Sequence, residues 1–168
     1  MSLHEFLQRD PACSALLEGA LAATAPLLED DDPAPIQAQL EAWALELAGR
    51  MPLPWNFHGA LDQLNQFLFQ ELGFQGDRKT YDDPRNALIP QVLERRRGLP
   101  ITLSILWIEL ARKLGFEAVG IGLPGHFLCA VRHDLGHLCF DPFHGGLPVG
   151  PERAEHLVTL ATQGQTAF

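Results

Sequence analysis

Cysteine is rare in this sequence, and its spacing argues against covalent or metal cross-links. The 168 residues include three cysteines, Cys13, Cys129 and Cys139, and no two of them form a Cys-x-x-Cys pair. An odd number of cysteines cannot pair completely, and structural zinc sites draw on closely spaced ligand pairs. A disulfide framework and a zinc knuckle are therefore not expected.

Positive charge is also scarce. Twelve Lys and Arg residues stand against 21 Asp and Glu residues, which gives a formal net charge of -9. Because proteins bind nucleic acids largely by neutralising phosphates with Lys and Arg, this balance predicts no nucleic-acid partner.

Long apolar runs are missing too. A helix that spans a bilayer needs roughly 20 consecutive apolar residues, and no run approaches that length. The first ten residues, MSLHEFLQRD, have neither the basic start nor the apolar core of a secretory signal. We therefore predict a cytoplasmic protein without a membrane partner. With 46% hydrophobic residues, the chain is expected to fold as one compact unit.

The first half is patterned as helices. Apolar residues recur at helical spacing in three segments. The second and third segments are predicted to be helices over 36–49 and 59–72, and Gly73 is predicted to end the latter. We assign 1–80 to an N-terminal helical region and 81–168 to a core.

A short helix and a long buried helix open the second half. Asn86 is predicted to cap the short helix, and Gly98 to end it after three arginines. Pro100 then suits the first turn of a helix over 101–114, whose apolar residues cover most of its girth. Such a helix is expected at the centre of the core.

Strand patterns follow this helix. Segments 117–123, 126–133 and 136–140 are patterned as strands, and the last two are predicted to form an antiparallel hairpin through a tight turn. A short helix over 152–162 comes last. Because helices and strands are segregated along the chain, the predicted fold class is α+β: N-terminal helices, then a buried central helix packed on a small antiparallel sheet.

One histidine has a setting that suggests chemistry. His126 starts a strand directly after a Pro-Gly turn, and Asp141 ends the neighbouring strand, so the hairpin is expected to bring the two side chains together. A carboxylate on an imidazole fixes its tautomer and supports its cationic form, as in the second and third members of a nucleophile–His–Asp triad. The same pair can also hold turn backbone through local hydrogen bonds.

Four motifs, ordered along residues 81–146, carry a family resemblance. They are Asp83-Pro-x-Asn86, Val92-Leu-Glu-Arg-Arg-Arg-Gly-Leu-Pro100, Leu123-Pro-Gly-His-Phe-Leu128 and Asp141-Pro-Phe-x-Gly-Gly146. Together they resemble the transglutaminase-like superfamily, in particular its bacterial branch named after the invasion regulator SirB, which is also similar to a module of a eukaryotic F-box protein. The resemblance implies a papain-like core. Its active members place a Cys at the N-terminus of the central helix and complete a triad with a strand His and a following-strand Asp.

Carried onto this sequence, the resemblance places Pro100 at the position of the nucleophilic Cys, His126 at the His and Asp141 at the Asp. Proline offers neither a nucleophile nor an N–H. The resemblance therefore implies a domain without peptide-bond chemistry, which acts as a binding or regulatory module with a protein or peptide partner.

Two other functions stay open. A hydrolase or acyltransferase would use the His126–Asp141 dyad with a water, or with the hydroxyl of Thr102 or Ser104, as the nucleophile. Ser104 lies one helical turn after Pro100 and is expected inside the core. A structural scaffold would use His126 and Asp141 only to pin the hairpin to the helix.

No cofactor or metal is predicted. One set of candidate ligands alternates along the hairpin, namely His126, His137, Cys139 and Asp141. The set contains no tightly spaced ligand pair, so metal binding is not expected. Cys139 is expected to share a sheet face with Asp141 and to point toward the central helix, and Cys129 is expected on the face opposite to His126.

Overall fold

The computed structural model describes residues 15–28, 32–51, 53–54, 56–134 and 136–162. Three parts of the predictions lie outside these ranges: the first ten residues, Cys13, and the centre of the predicted turn at 134–136.

The architecture confirms the predicted α+β class. The α-helices of the described chain are α1 (Leu16–Thr24), α2 (Ala34–Gly49), α3 (Phe57–Asn65), α4 (Ile89–Arg95), α5 (Pro100–Lys113) and α6 (Pro151–Thr162). A π-helix follows α3 at Gln66–Glu71, and 3₁₀ turns occupy Ala25–Leu27, Pro84–Ala87 and Pro142–His144. The strands are β1 (Gln75–Gly76), β2 (Arg97–Gly98), β3 (Ala118–Leu123), β4 (His126–His133), β5 (Gly136–Asp141) and β6 (Leu147–Val149).

The predicted third helix is only partly right. Its start is capped by the side chain of Asn56, but the chain continues as a π-helix over Gln66–Glu71. Phe67 and Leu68 stay buried in the core, whereas Phe69 lines a surface cavity. The spacing of apolar residues predicts which face of a helix is buried. It does not distinguish a π-helical turn from an α-helical turn.

Two predictions about helix ends are wrong. Asn86 does not cap a helix: it is buried, and its side chain donates to Thr80 O at 2.7 Å and accepts from Arg95 Nη1 at 3.1 Å. Gly98 does not end α4, because Arg96 takes the left-handed conformation there, with a φ of 58°.

Aromatic neighbours hold Arg96 in this conformation. Its guanidinium lies over the rings of Trp43 and Phe74, at 5.1 and 4.7 Å from the two centroids. The left-handed conformation costs a non-glycine residue about 1–2 kcal/mol, and two cation–π contacts of about 0.5–1 kcal/mol each offset that cost. Gly98 therefore falls in β2, which pairs in parallel with β1. This pairing depends on contacts distant in sequence, which is why the local pattern missed it.

The main sheet has the strand order β3-β4-β5-β6, and every neighbouring pair is antiparallel. Cys129 pairs with Phe140, and Arg132 pairs with His137, so the predicted hairpin of β4 and β5 is confirmed. The fourth strand, Leu147–Val149, was not predicted because it is three residues long and contains a proline.

Helix α5 lies at the centre of the core, as predicted. Trp107 is 0% exposed. Its ring stacks on Phe140 of β5 with the centroids 5.3 Å apart, and its Nε1 donates to Asn65 Oδ1 of α3 at 2.7 Å. One residue of α5 thus connects the sheet with the N-terminal helices. The division at residue 80 stays a prediction. None of the described helices combines the length and the apolarity needed to cross a membrane.

Candidate functional site

The β4–β5 hairpin brings His126 and Asp141 together. His126 is the first residue of β4 and Asp141 is the last residue of β5. Because the two strands are antiparallel, the start of one lies beside the end of the other. His126 Nε2 lies 2.9 Å from Asp141 Oδ2, and the two side chains are 0% and 1% exposed.

A second histidine, which the sequence reasoning missed, contacts the same carboxylate oxygen. His144 Nδ1 lies 2.7 Å from Asp141 Oδ2, and the His144 N–H donates to Asp141 Oδ1 at 3.3 Å. The cause is local: Asp141 caps the 3₁₀ turn Pro142–His144, and such a turn places its third residue over the cap. The Asp-Pro pair at the end of a strand was the signal that would have identified His144.

Two glycines close this turn. The Gly146 N–H donates to Asp141 O at 2.8 Å, and Gly145 and Gly146 have φ values of 75° and 72°. Glycine adopts positive φ without the steric cost that a Cβ imposes. The motif from Asp141 to Gly146 therefore encodes a turn that folds back on the carboxylate.

The surroundings of Asp141 favour its ionised form. Burial raises the pKa of a carboxyl group, but the hydrogen bonds from His126 and His144 outweigh burial and hold the pKa of Asp141 below its ordinary value. An ionised carboxylate only accepts hydrogen bonds, so each ring nitrogen that faces it carries the proton. Within the described ranges, the side chains that contact the Asp141 carboxylate and can carry positive charge are these two imidazoles, and no Lys or Arg is among them.

Pro100, Thr102 and Ser104 are all buried at the start of α5. Thr102 Oγ1 lies 2.9 Å from Asn86 O and 3.1 Å from Leu99 O, so its proton is donated to backbone carbonyls. The Ser104 side chain is enclosed in the core, and its Oγ has no hydrogen-bond partner in the described part of the chain. The structure therefore gives neither hydroxyl a hydrogen bond to the His126 ring.

The two hydroxyls differ in the stability they confer, and a pair of variants measures the difference. We expect Thr102→Val to lower the free energy of unfolding by about 1–2 kcal/mol. The variant removes a buried hydrogen bond and leaves the Asn86 carbonyl oxygen without the hydroxyl donor. We expect Ser104→Ala to leave that free energy unchanged or raise it, because the hydroxyl is buried without a partner. Urea unfolding of both variants checks this, and a larger loss for Ser104→Ala would contradict it.

A cavity of about 500 Å³ lies beside the carboxylate turn. Its lining includes the rings of Phe69, Phe74, Phe143 and His144 and the charged side chains of Asp77, Arg78, Lys79 and Arg97. Among His126, Asp141 and His144, it is His144 that lines this cavity, and its side chain is 10% exposed. The cavity therefore meets the site through His144 and not through His126.

The ligand set considered from the sequence is not assembled. His137 is exposed and pairs with Arg132 near the turn end of the hairpin. Cys139 does not point toward the central helix: it packs with Leu128 and Leu157, on the sheet face covered by α6. That expectation was wrong because the hairpin register places Phe140, the neighbour of Cys139, on the α5 face.

Cys129 is buried in the main core, and its predicted position on the face opposite to His126 stays a prediction. Burial raises the pKa of the Cys129 thiol well above its ordinary value, which disfavours the thiolate that a nucleophile needs. Among the residues that the structure describes, the atoms of a metal-ligand type that lie together belong to His126, Asp141 and His144, and they are within 4.8 Å of one another.

Comparison with known proteins adds a family and several relatives. The family model described as the transglutaminase-like superfamily matches residues 34–168. A UPF0162 protein of Xylella fastidiosa is 46% identical over 95 residues, which are 56% of this chain and 34% of that protein. A UPF0162 protein of Pseudomonas aeruginosa is 34% identical over 149 residues, 87% of this chain and 53% of that protein.

The similarity extends to eukaryotes. F-box only protein 21 of Homo sapiens is 32% identical over 106 residues, which are 58% of this chain and 17% of that protein. The chain thus spans about half, or less, of the length of these relatives. No solved structure matches it.

Proposed function

Because the chain belongs to the transglutaminase-like superfamily, we propose that it is a binding or regulatory module in which Pro100 stands at the position of the nucleophilic cysteine. Proline supplies neither a thiol nor a backbone N–H at the start of α5, so the thiolate that begins acyl transfer in this fold has no substitute there. The hydrogen bonding of Thr102 and the burial of Ser104 support this function over a hydroxyl nucleophile.

The burial of the dyad is the observation that carries the proposal. The His126 side chain is 0% exposed and that of Asp141 is 1% exposed. A general base must come within hydrogen-bond reach of the proton that it removes from a substrate or a water. An enclosed imidazole serves instead to hold the carboxylate turn, and the cavity lined by His144 and Phe143 is the surface at which a protein or peptide partner binds.

Acyl-transfer and hydrolysis assays test this function. We expect the purified protein to show no turnover of p-nitrophenyl acetate above buffer, and no incorporation of a fluorescent amine into casein. Turnover that is lost in His126→Ala and kept in His137→Ala, the matched variant at an exposed histidine, would overturn the proposal. Since His126→Ala removes a buried side chain, circular dichroism must show that it is folded. Ser104→Ala, a smaller change, independently tests for a serine nucleophile.

A further inference from the structure

We propose that His126, Asp141 and His144 together bind one divalent transition-metal ion of the zinc class. The donor atoms are His126 Nε2, Asp141 Oδ2 and His144 Nδ1, which lie within 4.8 Å of one another. The inference does not rest on the proposed function, because it concerns the affinity of three side chains for a cation and not the absence of acyl chemistry.

The distances suit a metal ion after a small adjustment. Zinc bonds of about 2.0–2.2 Å to nitrogen and oxygen in a tetrahedral site imply ligand-to-ligand distances of about 3.3 Å. The two contacts to Asp141 Oδ2 are 2.9 Å from His126 and 2.7 Å from His144. Each contact therefore has to widen by about half an ångström. The two imidazole nitrogens, which lie within 4.8 Å of each other, have to reach the same separation of about 3.3 Å.

The donor set selects the kind of metal. Two imidazole nitrogens and one carboxylate oxygen suit zinc, and also iron, cobalt or nickel, whereas calcium and magnesium prefer ligand sets made entirely of oxygen. Three protein ligands leave a fourth position for a water or another ligand, as in catalytic-type zinc sites.

A bound dication would contact the carboxylate oxygen that now accepts from both imidazoles. For it to bind, each imidazole presents a lone pair at the nitrogen that faces Asp141 and carries its proton on the other ring nitrogen, and any additional proton is released.

The ligands are held by three rigid parts of the chain. His126 is fixed by the pairing of β4 with β3, Asp141 by the end of β5 and the Gly146 hydrogen bond, and His144 by the 3₁₀ turn. The edge of the His126 ring also meets Phe143, with the centroids 6.1 Å apart. Support of this kind fixes the orientation of a ligand before the metal arrives.

The cavity beside His144 provides the access path. Three cationic side chains, Arg78, Lys79 and Arg97, line it. They disfavour a second cation there, and they favour an anion such as a carboxylate in the fourth position of a bound metal. The site thus pairs a cation within the turn with an anion from the cavity.

Cobalt titration tests the proposal. The full chain is stripped with EDTA, dialysed and titrated with CoCl₂ and then with ZnCl₂. We expect visible absorption from one four- or five-coordinate Co²⁺ per chain, displacement of that signal by Zn²⁺, and one zinc per chain in elemental analysis. His144→Ala, which changes a partly exposed side chain, should weaken binding at least about tenfold. His137→Ala and His58→Ala, at exposed histidines, should bind as the unchanged chain does.

Two outcomes would overturn the proposal. If the folded chain gives no Co²⁺ absorption and retains no zinc, the three side chains form a hydrogen-bonded His–Asp–His cluster only. If binding persists in His144→Ala but is lost in Cys13→Ser, a thiol is the ligand instead. Since metal binding and acyl turnover are separate measurements, this proposal and the proposed function can each fail alone.

Discussion

Replacing Asp141 with alanine is expected to lower the free energy of unfolding by about 3–5 kcal/mol. The carboxylate accepts from the facing ring nitrogens of His126 and His144 and from the His144 backbone N–H. A buried donor left without an acceptor costs about 1–3 kcal/mol, and the variant leaves more than one. Urea unfolding followed by far-UV circular dichroism, on EDTA-treated protein at neutral pH, measures the loss.

Two further variants show how much of the loss comes from the charge of Asp141 and whether removal of any aspartate has the same effect. Asp141→Asn keeps the shape and one acceptor oxygen but removes the charge, so its loss should fall between those of the unchanged chain and Asp141→Ala. Asp62→Ala, at an exposed position in α3, should change the free energy by no more than about 0.5 kcal/mol. An Asp141→Ala variant as stable as the unchanged chain would show that the carboxylate does not anchor the two imidazoles.

Replacing Trp107 with alanine is expected to cost about 3–5 kcal/mol, the range for a fully buried aromatic side chain. The change removes the stacking on Phe140 and the hydrogen bond to Asn65 Oδ1. Through this residue, α5 then no longer contacts β5 or α3. Trp107→Phe keeps an aromatic ring but leaves the Asn65 amide oxygen without its donor, so it should lose about 1–3 kcal/mol.

Denaturant unfolding of the two Trp107 variants checks this order. Leu45→Ala is the control, because Leu45 lies on a helix and is 68% exposed, and its free energy of unfolding should stay near that of the unchanged chain. Equal losses for Trp107→Phe and Trp107→Ala would contradict the assignment, since they would mean that the ring itself contributes nothing.

The sequence predicted those parts of the fold in which burial leaves a regular apolar pattern along the chain. The apolar stripe of α5 and the alternation in β4 each record which side chains face the core, and Pro100 marks a helix start by its fixed φ. Arg96 and the β1–β2 pair depend on partners distant in sequence, such as Trp43 above the guanidinium. No local pattern contains that information.

The candidate site divides in the same way. His126 and Asp141 were found because an antiparallel hairpin aligns the ends of its strands, which is a regular geometry. His144 was missed because its position depends on a three-residue turn, and on which oxygen of Asp141 caps that turn. Short turns of this kind are specified by a few residues rather than by a period, so a pattern search passes over them.

The π-helix at Gln66–Glu71 has a consequence for how related chains can diverge. A π-turn contains more residues than the α-turn it replaces, so this stretch can lose one residue while α3 and β1 keep their places. Phe69, which lines the cavity, is presented by this turn, whereas Phe67 and Leu68 belong to the core. A single-residue deletion after Leu68 would therefore alter the shape of the cavity, while Phe67 and Leu68 would keep their places in the core. Related chains that differ by one residue at this turn would accordingly differ more in the cavity than in the core.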